Sequence, residues 1–174
     1  MNNRKKQRLP EFDYSAPGAY FVTICVQGMQ CCLGNVTDGN MILNDSGVIV
    51  QNSWLDLPNH YSNCNLDEFV VMPNHVHGIL NIADISSANV GNGFKPFPTQ
   101  HGLPEIIRGF KTFSSRRINE INTELPFHWQ KSYYDRVVRD EKELQLIREY
   151  IVNNPLRWEL DKNDKDINGN KLFE

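Results

Sequence analysis

The chain has no apolar run long enough to cross a bilayer. Phe69-Val70-Val71-Met72 and similar stretches end after a few residues, against the roughly 20 a membrane helix needs. A secretory leader is also missing, because the basic start Met1-Asn2-Asn3-Arg4-Lys5-Lys6-Gln7-Arg8 runs into Leu9-Pro10-Glu11 where an apolar stretch would stand. The expected location is therefore the cytoplasm. Cysteine is scarce: Cys25 and Cys64 stand alone, Cys31 and Cys32 are adjacent, and no C-x-x-C occurs. That excludes a zinc knuckle and a disulfide framework, leaving small core residues or free thiols. No internal repeat is present. Hydrophobic residues at 40% and charged residues at 22% match soluble globular chains and disfavour disordered, collagenous or coiled-coil readings. At 174 residues one domain is expected, here 1–162, with a basic arm at 1–10 and a polar tail at 163–174.

A strong charge of one sign is lacking too, since the formal net charge is −3. The distribution is uneven. Residues 103–139 carry seven basic groups against four acids, and residues 140–174 nine acids against six bases. A cationic face for phosphates fits the first stretch as well as an ordinary solvated surface does.

Gly18–Val26 is dense in β-branched and aromatic residues and reads as a strand, with Cys31–Val36 behind a Gly28 turn as its hairpin partner. Asn44 offers a capping oxygen to a helix that carries Val48, Val50, Trp54 and Leu55 and ends near Pro58. Leu66–Met72 and His75–Ile82 read as strands around Pro73-Asn74. Residues 83–102 lack periodicity and read as a mobile loop whose Phe94, Phe97 and His101 are candidates for stacking on bases. Leu103–Ile121 spaces Ile106, Ile107, Phe110, Phe113 and Ile118 as a helix, with Arg108, Lys111, Arg116 and Arg117 mostly off the stripe. His128–Val138 reads as a last or edge strand. Asp140 then caps a helix with Glu143 in the capping-box position, and Pro155 ends it. This order of strands and helices is the split pattern of ferredoxin-like α+β domains, an antiparallel sheet with helices packed on it.

Within a strand, His75 and His77 project to one side while Val76 faces the other. Imidazoles so placed can converge on one metal ion, although H-x-H alone fits two packed histidines equally well. On the helix after Asp140, Tyr150 and Asn154 lie about 40° apart. The pair offers a phenol nucleophile and an amide oxygen; it equally suits a packed tyrosine and a helix-ending asparagine.

Together these segments resemble a known family. Arg8-Leu9, Asp13-Tyr14, Ala19–Cys25, Leu66–Gly78 with its Met72-Pro73-Asn74-His75-Val76-His77, Ile107–Lys111, Trp129-Gln130, Tyr133-Tyr134-Asp135 and Tyr150-Ile151 through Asn153-Asn154-Pro155 are similar to the single-tyrosine HUH transposases of small insertion sequences. The likeness is to the REP-associated tyrosine transposase (RAYT) branch, over residues 8–162. The wider family often places glutamine one turn after the tyrosine; Asn154 stands there, as in that branch. The resemblance implies a single-stranded DNA endonuclease and strand transferase that cuts beside hairpins of repetitive palindromic elements through a 5′-phosphotyrosine on Tyr150. It implies a divalent metal, Mg²⁺ or Mn²⁺, held by His75, His77 and Asn154, although two imidazoles by themselves suit Zn²⁺ equally. Tyr133 and Tyr134 match the family's structural strand. Arg108, Lys111, Arg116, Arg117, Lys131 and Arg136 are candidates for DNA backbone contacts, together with the Arg4-Lys5-Lys6 arm. Related proteins work as monomers and as dimers with exchanged helices, so a homodimer is a possible state, with the protein placed on the nucleoid. A regulatory DNA-binding protein that no longer cuts, and a phosphohydrolase acting with water, are the alternatives.

Overall fold

The computed structural model describes residues 13, 14, 16–85 and 100–165. The basic arm, the loop aromatics Phe94 and Phe97, and residues 166–174 lie outside the described residues. The frame is a four-stranded antiparallel sheet in the order β4-β5-β1-β6, from β1 (Gly18–Cys25), β4 (Cys64–Met72), β5 (His75–Ile82) and β6 (Tyr134–Val138). With α1 (Asp45–Leu55) and α3 (Leu103–Ile121) as the two crossovers, this is the expected ferredoxin-like topology. A short hairpin, β2 (Gly34–Thr37) and β3 (Asn40–Leu43), is inserted before α1, and α2 (Leu57–His60) follows it. Two helices, α4 (Glu141–Val152) and α5 (Asn154–Lys165), come after the last strand.

Strand alternation divides the sheet into two faces. Tyr20, Val22, Ile24, Val76 and Leu80 point to one side, where Trp54 of α1 and Leu103, Ile106, Ile107, Phe110 and Ile118 of α3 join them in the core. Each such fully buried apolar side chain contributes about 1.5–3 kcal/mol. Phe21, Thr23, Cys25, His75 and His77 point to the other side, under α4 and α5. Every residue from Val71 to Leu80 is buried, as expected of an inner strand covered on both faces. The Asn44 side chain accepts from Gly47 N–H at 2.9 Å, and Asp140 accepts from Glu143 N–H at 2.8 Å. The Glu143 carboxylate takes Arg139 N–H at 2.8 Å, so the return half of the capping box sits one residue early.

Three expectations need correction. Cys31–Val36 does not pair with β1, because β5 and β6 already fill both edges of that strand. The chain leaves through a 3-10 turn at Gln27–Met29, Cys32 and Leu33 dock their N–H groups on the Pro73 carbonyl, and β2 instead pairs with β3 around Asp38-Gly39. Both turn residues have positive φ, 51° and 69°, the conformation a tight two-residue turn requires. The last strand is shorter than 128–138: Trp129 makes only an isolated bridge to Val26, and pairing begins at Tyr134. Finally, Pro155 ends one helix and starts another. Its missing N–H and preset φ suit the first turn of α5, so the chain continues as a second helix, Asn154–Lys165.

Candidate active site

The site forms on the sheet face away from α1 and α3. Register places His75 between Cys25 and Met72, and His77 between Thr23 and Val70. Both imidazoles are buried, and their ring centroids lie 4.5 Å apart. On the reverse side Gly78 leaves room for the Trp54 ring: a Cβ there would stand 2.3 Å from it. That close approach seats β5 on the core just behind the histidines.

Helix α4 delivers Tyr150. Its hydroxyl is 3.3 Å from His77 Nε2, and its ring meets His77 at 5.2 Å and the edge of Phe21 at 6.1 Å. Arg148, two residues before, grips both carboxylate oxygens of Asp67 at 2.9 and 2.7 Å. The same pairing holds the Asp67 carboxyl below its ordinary range. Asp67 lies where the β4 register shifts between Leu66 and Phe69, so an irregular strand segment anchors the tyrosine helix. Helix α5 adds buried Asn154, then Trp158 at 5.8 Å from His75, and Arg157, whose guanidinium lies 5.5 Å from the Tyr150 ring centre.

Each histidine has its Nδ1 occupied. His75 Nδ1 is 2.6 Å from Asn74 Oδ1, and Asn74 Nδ2 donates to the Met29 carbonyl at 3.2 Å. That second bond orients the amide, so its oxygen faces His75. An amide oxygen only accepts, hence the proton of neutral His75 sits on Nδ1 and Nε2 carries the bare lone pair. His77 Nδ1 lies 2.8 Å from Thr23 Oγ1. Burial pushes His75 down to about 4; it holds His77 well below 6.5, with His75 adding to the effect. Both are therefore neutral at pH 7 and offer lone pairs. Burial raises the Tyr150 phenol, the Asn154 hydrogen bond and the Arg157 charge pull it back, and Asp161 pushes it up.

Two neutral, oriented imidazoles fit a borderline divalent cation. No cluster of three His, Cys, Asp or Glu side chains placed to hold a metal occurs among the described residues. Asn154 is buried one turn beyond Tyr150 and hydrogen-bonds to it.

The predicted His75, His77, Tyr150 and Asn154 are brought together within one chain. The predicted cations are not. Arg108, Arg116 and Arg117 project from α3, across the sheet from the histidines, and are exposed. Arg108 faces Glu105 at 3.9 Å and Arg116 faces Glu120 at 3.7 Å. Lys111 donates to the carbonyls of Gln130 and Ser132 at 2.9 and 3.0 Å. Arg136 lies on the site face but binds Glu143 at 2.5 Å, and Lys131 is exposed. His101 packs edge-on against Tyr61 at 5.0 Å. Of the rival phenols, Tyr133 is buried, whereas Tyr134 is exposed on the site face as the partner of Thr23, two strands or roughly 10 Å from His77. Sequence reading missed Thr23, Asn74, Arg157 and Trp158. Arg157 had a signal: it follows Tyr150 by two helical turns, about 20° off the same face, once the helix is read through Pro155.

Comparison with known proteins bears on the family and the fold. A family model described as "Transposase IS200 like" matches residues 58–154, the stretch holding both histidines, the tyrosine and the asparagine. An uncharacterized protein of Haemophilus influenzae (strain ATCC 51907 / DSM 11121 / KW20 / Rd) is 35% identical over 171 residues, 93% of each chain. A solved REP-associated tyrosine transposase bound to a REP hairpin shares the fold, with a TM-score of 0.57 at 14% identity, covering 87% of this chain and 74% of that one.

Proposed function

The chain belongs to the IS200-like transposase family, and from that premise we propose that residues 1–162 act as one HUH domain that cuts and rejoins single-stranded DNA beside a hairpin, with Tyr150 as nucleophile. The observation that carries this reading is the approach of the Tyr150 hydroxyl to within 3.3 Å of His77 Nε2, beside a second imidazole.

Joining DNA without a nucleotide cofactor requires the phosphodiester energy to be kept, which a covalent intermediate does. Tyr150 Oη attacks the scissile phosphorus as its proton passes to water, forming an Oη–P bond. The P–O3′ bond breaks, and the upstream fragment leaves with a 3′-hydroxyl after taking a proton. The downstream fragment stays on Tyr150 as a 5′-phosphotyrosine, and attack by a 3′-hydroxyl runs the exchange backwards to reseal a strand. When bound by His75, His77 and Asn154, a divalent cation, Mg²⁺ or Mn²⁺, supplies positive charge at a non-bridging phosphate oxygen. The chain's own part is to keep both imidazoles neutral and correctly protonated through burial, Asn74 and Thr23, and to fix the phenol through Arg148 and Asp67. Because His77 and Tyr150 belong to one chain here, the reading is of a site completed in cis. Arg108, Arg116, Arg117 and Lys131 are the candidates for phosphate contacts outside the cut, Lys111 and Arg136 being engaged within the protein.

The test incubates protein and Mn²⁺ with 3′-labelled single strands carrying hairpins from the chromosome that encodes it. An adduct that survives denaturation, disappears in Tyr150→Phe and persists in Tyr134→Phe is the expected result. Binding with no adduct under any divalent metal marks a regulatory DNA binder instead. Cleavage that survives Tyr150→Phe but not His75→Ala marks a hydrolase using water.

A further inference from the structure

Resting on the reading of Tyr150 as nucleophile, we propose that Arg157 is a further catalytic residue, whose guanidinium binds the non-bridging oxygens of the scissile phosphate and of the phosphotyrosine that replaces it.

On the site side of the sheet, Arg136 and Arg148 each face a carboxylate. Arg157 has no ion-pair partner among the described residues. The acids closest along the chain are engaged elsewhere: Glu159 accepts from the Asp38 and Gly39 N–H groups at 3.1 and 2.5 Å, and Glu149 accepts from Gln145 at 3.1 Å. Asp161, one turn on, is exposed and forms no ion pair with it among the described residues. An exposed arginine is thus left over the nucleophile's ring, 5.5 Å from its centre, with its donors open to solvent.

Position makes it useful. A phosphorus bonded to the phenol oxygen stands just outside the ring edge, so a guanidinium over that ring reaches the phosphate oxygens by side-chain rotation. Five donors in a planar fork match two phosphate oxygens at once, which an ammonium does not. The backbone is already held: Arg157 N–H donates to the Asn153 carbonyl at 3.1 Å, and the Glu159 clasp ties the next turn to the β2–β3 hairpin. The same charge serves both directions of the exchange, because the anionic phosphate is present on either side of it.

The test compares wild type, Arg157→Lys and Arg157→Ala in adduct formation from a saturating 3′-labelled hairpin strand with Mn²⁺, and in resealing from isolated adduct. Loss of a donor at the developing charge slows such steps by roughly 100- to 1,000-fold. The expected result is that loss for Arg157→Ala in both directions, partial activity in Arg157→Lys, and recovery of the alanine variant by added guanidinium ion. The thermal midpoint should stay near wild type. Adduct formation by Arg157→Ala within twofold of wild type overturns the proposal, as does a loss that guanidinium cannot recover. Absence of adduct in wild type sinks the parent reading instead, so the two failures are distinct.

Discussion

A histidine that presents a bare nitrogen to a cation must have its other nitrogen occupied, and here Asn74 does this for His75 and Thr23 for His77. Outer groups of this kind alter metal affinity about 10–100-fold. Asn74→Ala should therefore weaken Mn²⁺ binding by that factor in titration calorimetry, and Thr23→Ser, which keeps the hydroxyl, should leave it nearly unchanged. Burial of the two rings also has a cost that depends on pH. His75 titrates at about 4 in the fold and at 6.5 unfolded, so the unfolded chain takes up its proton first. Stability of the metal-free protein is then full above pH 6.5 and falls as pH drops toward 4. The loss for this one residue reaches about 3 kcal/mol. Urea midpoints measured in EDTA between pH 7 and 4.5 should show the decline, and His75→Ala should flatten it. Residue type and short spacing made His75, His77, Tyr150 and Asn154 candidates but fitted packed side chains equally well, and it was the family resemblance that singled them out. Thr23 and Asn74 were not legible: Thr23 meets His77 only through strand pairing across 54 positions, and Asn74 acts through its neighbour's ring.

At the level of elements, helices and strands with strong periodicity were readable, and the errors arose where pairing depends on competition. Gly18–Val26 has the composition of any strand; nothing local says that β5 and β6 take both its edges and turn Cys31–Val36 away. Pro155 was read as a stop because a proline ends the helix before it, yet the same ring starts the next one. Glycine 78 offers the clearest quantitative test. Its absent side chain is replaced by the Trp54 ring, and a methyl group there overpacks a core with no slack. Gly78→Ala should lower stability by about 1–3 kcal/mol in chemical denaturation, with Trp54→Phe in the same background recovering part of the loss.

Across the whole molecule the sheet separates two kinds of chemistry. The two histidines, Tyr150 and Asn154 lie on the side of α4 and α5, while Arg116 and Arg117 project from α3 on the far side. A double substitution, Arg116→Ala with Arg117→Ala, should weaken hairpin binding across sequences and reduce the slope of log affinity against log salt by about 1.5–2. Adduct formation at saturating DNA should be unchanged. A slope equal to wild type would show that DNA does not reach this face. The frame also has an order in time. Among the described residues every strand ends by Val138, and the helix carrying Tyr150 comes after all of them. During synthesis the ribosome therefore releases this sheet, histidines included, before the Tyr150 phenol. On the proposed reading a chain stalled at that point carries the histidines but not the phenol, and so is unable to cut the DNA around it.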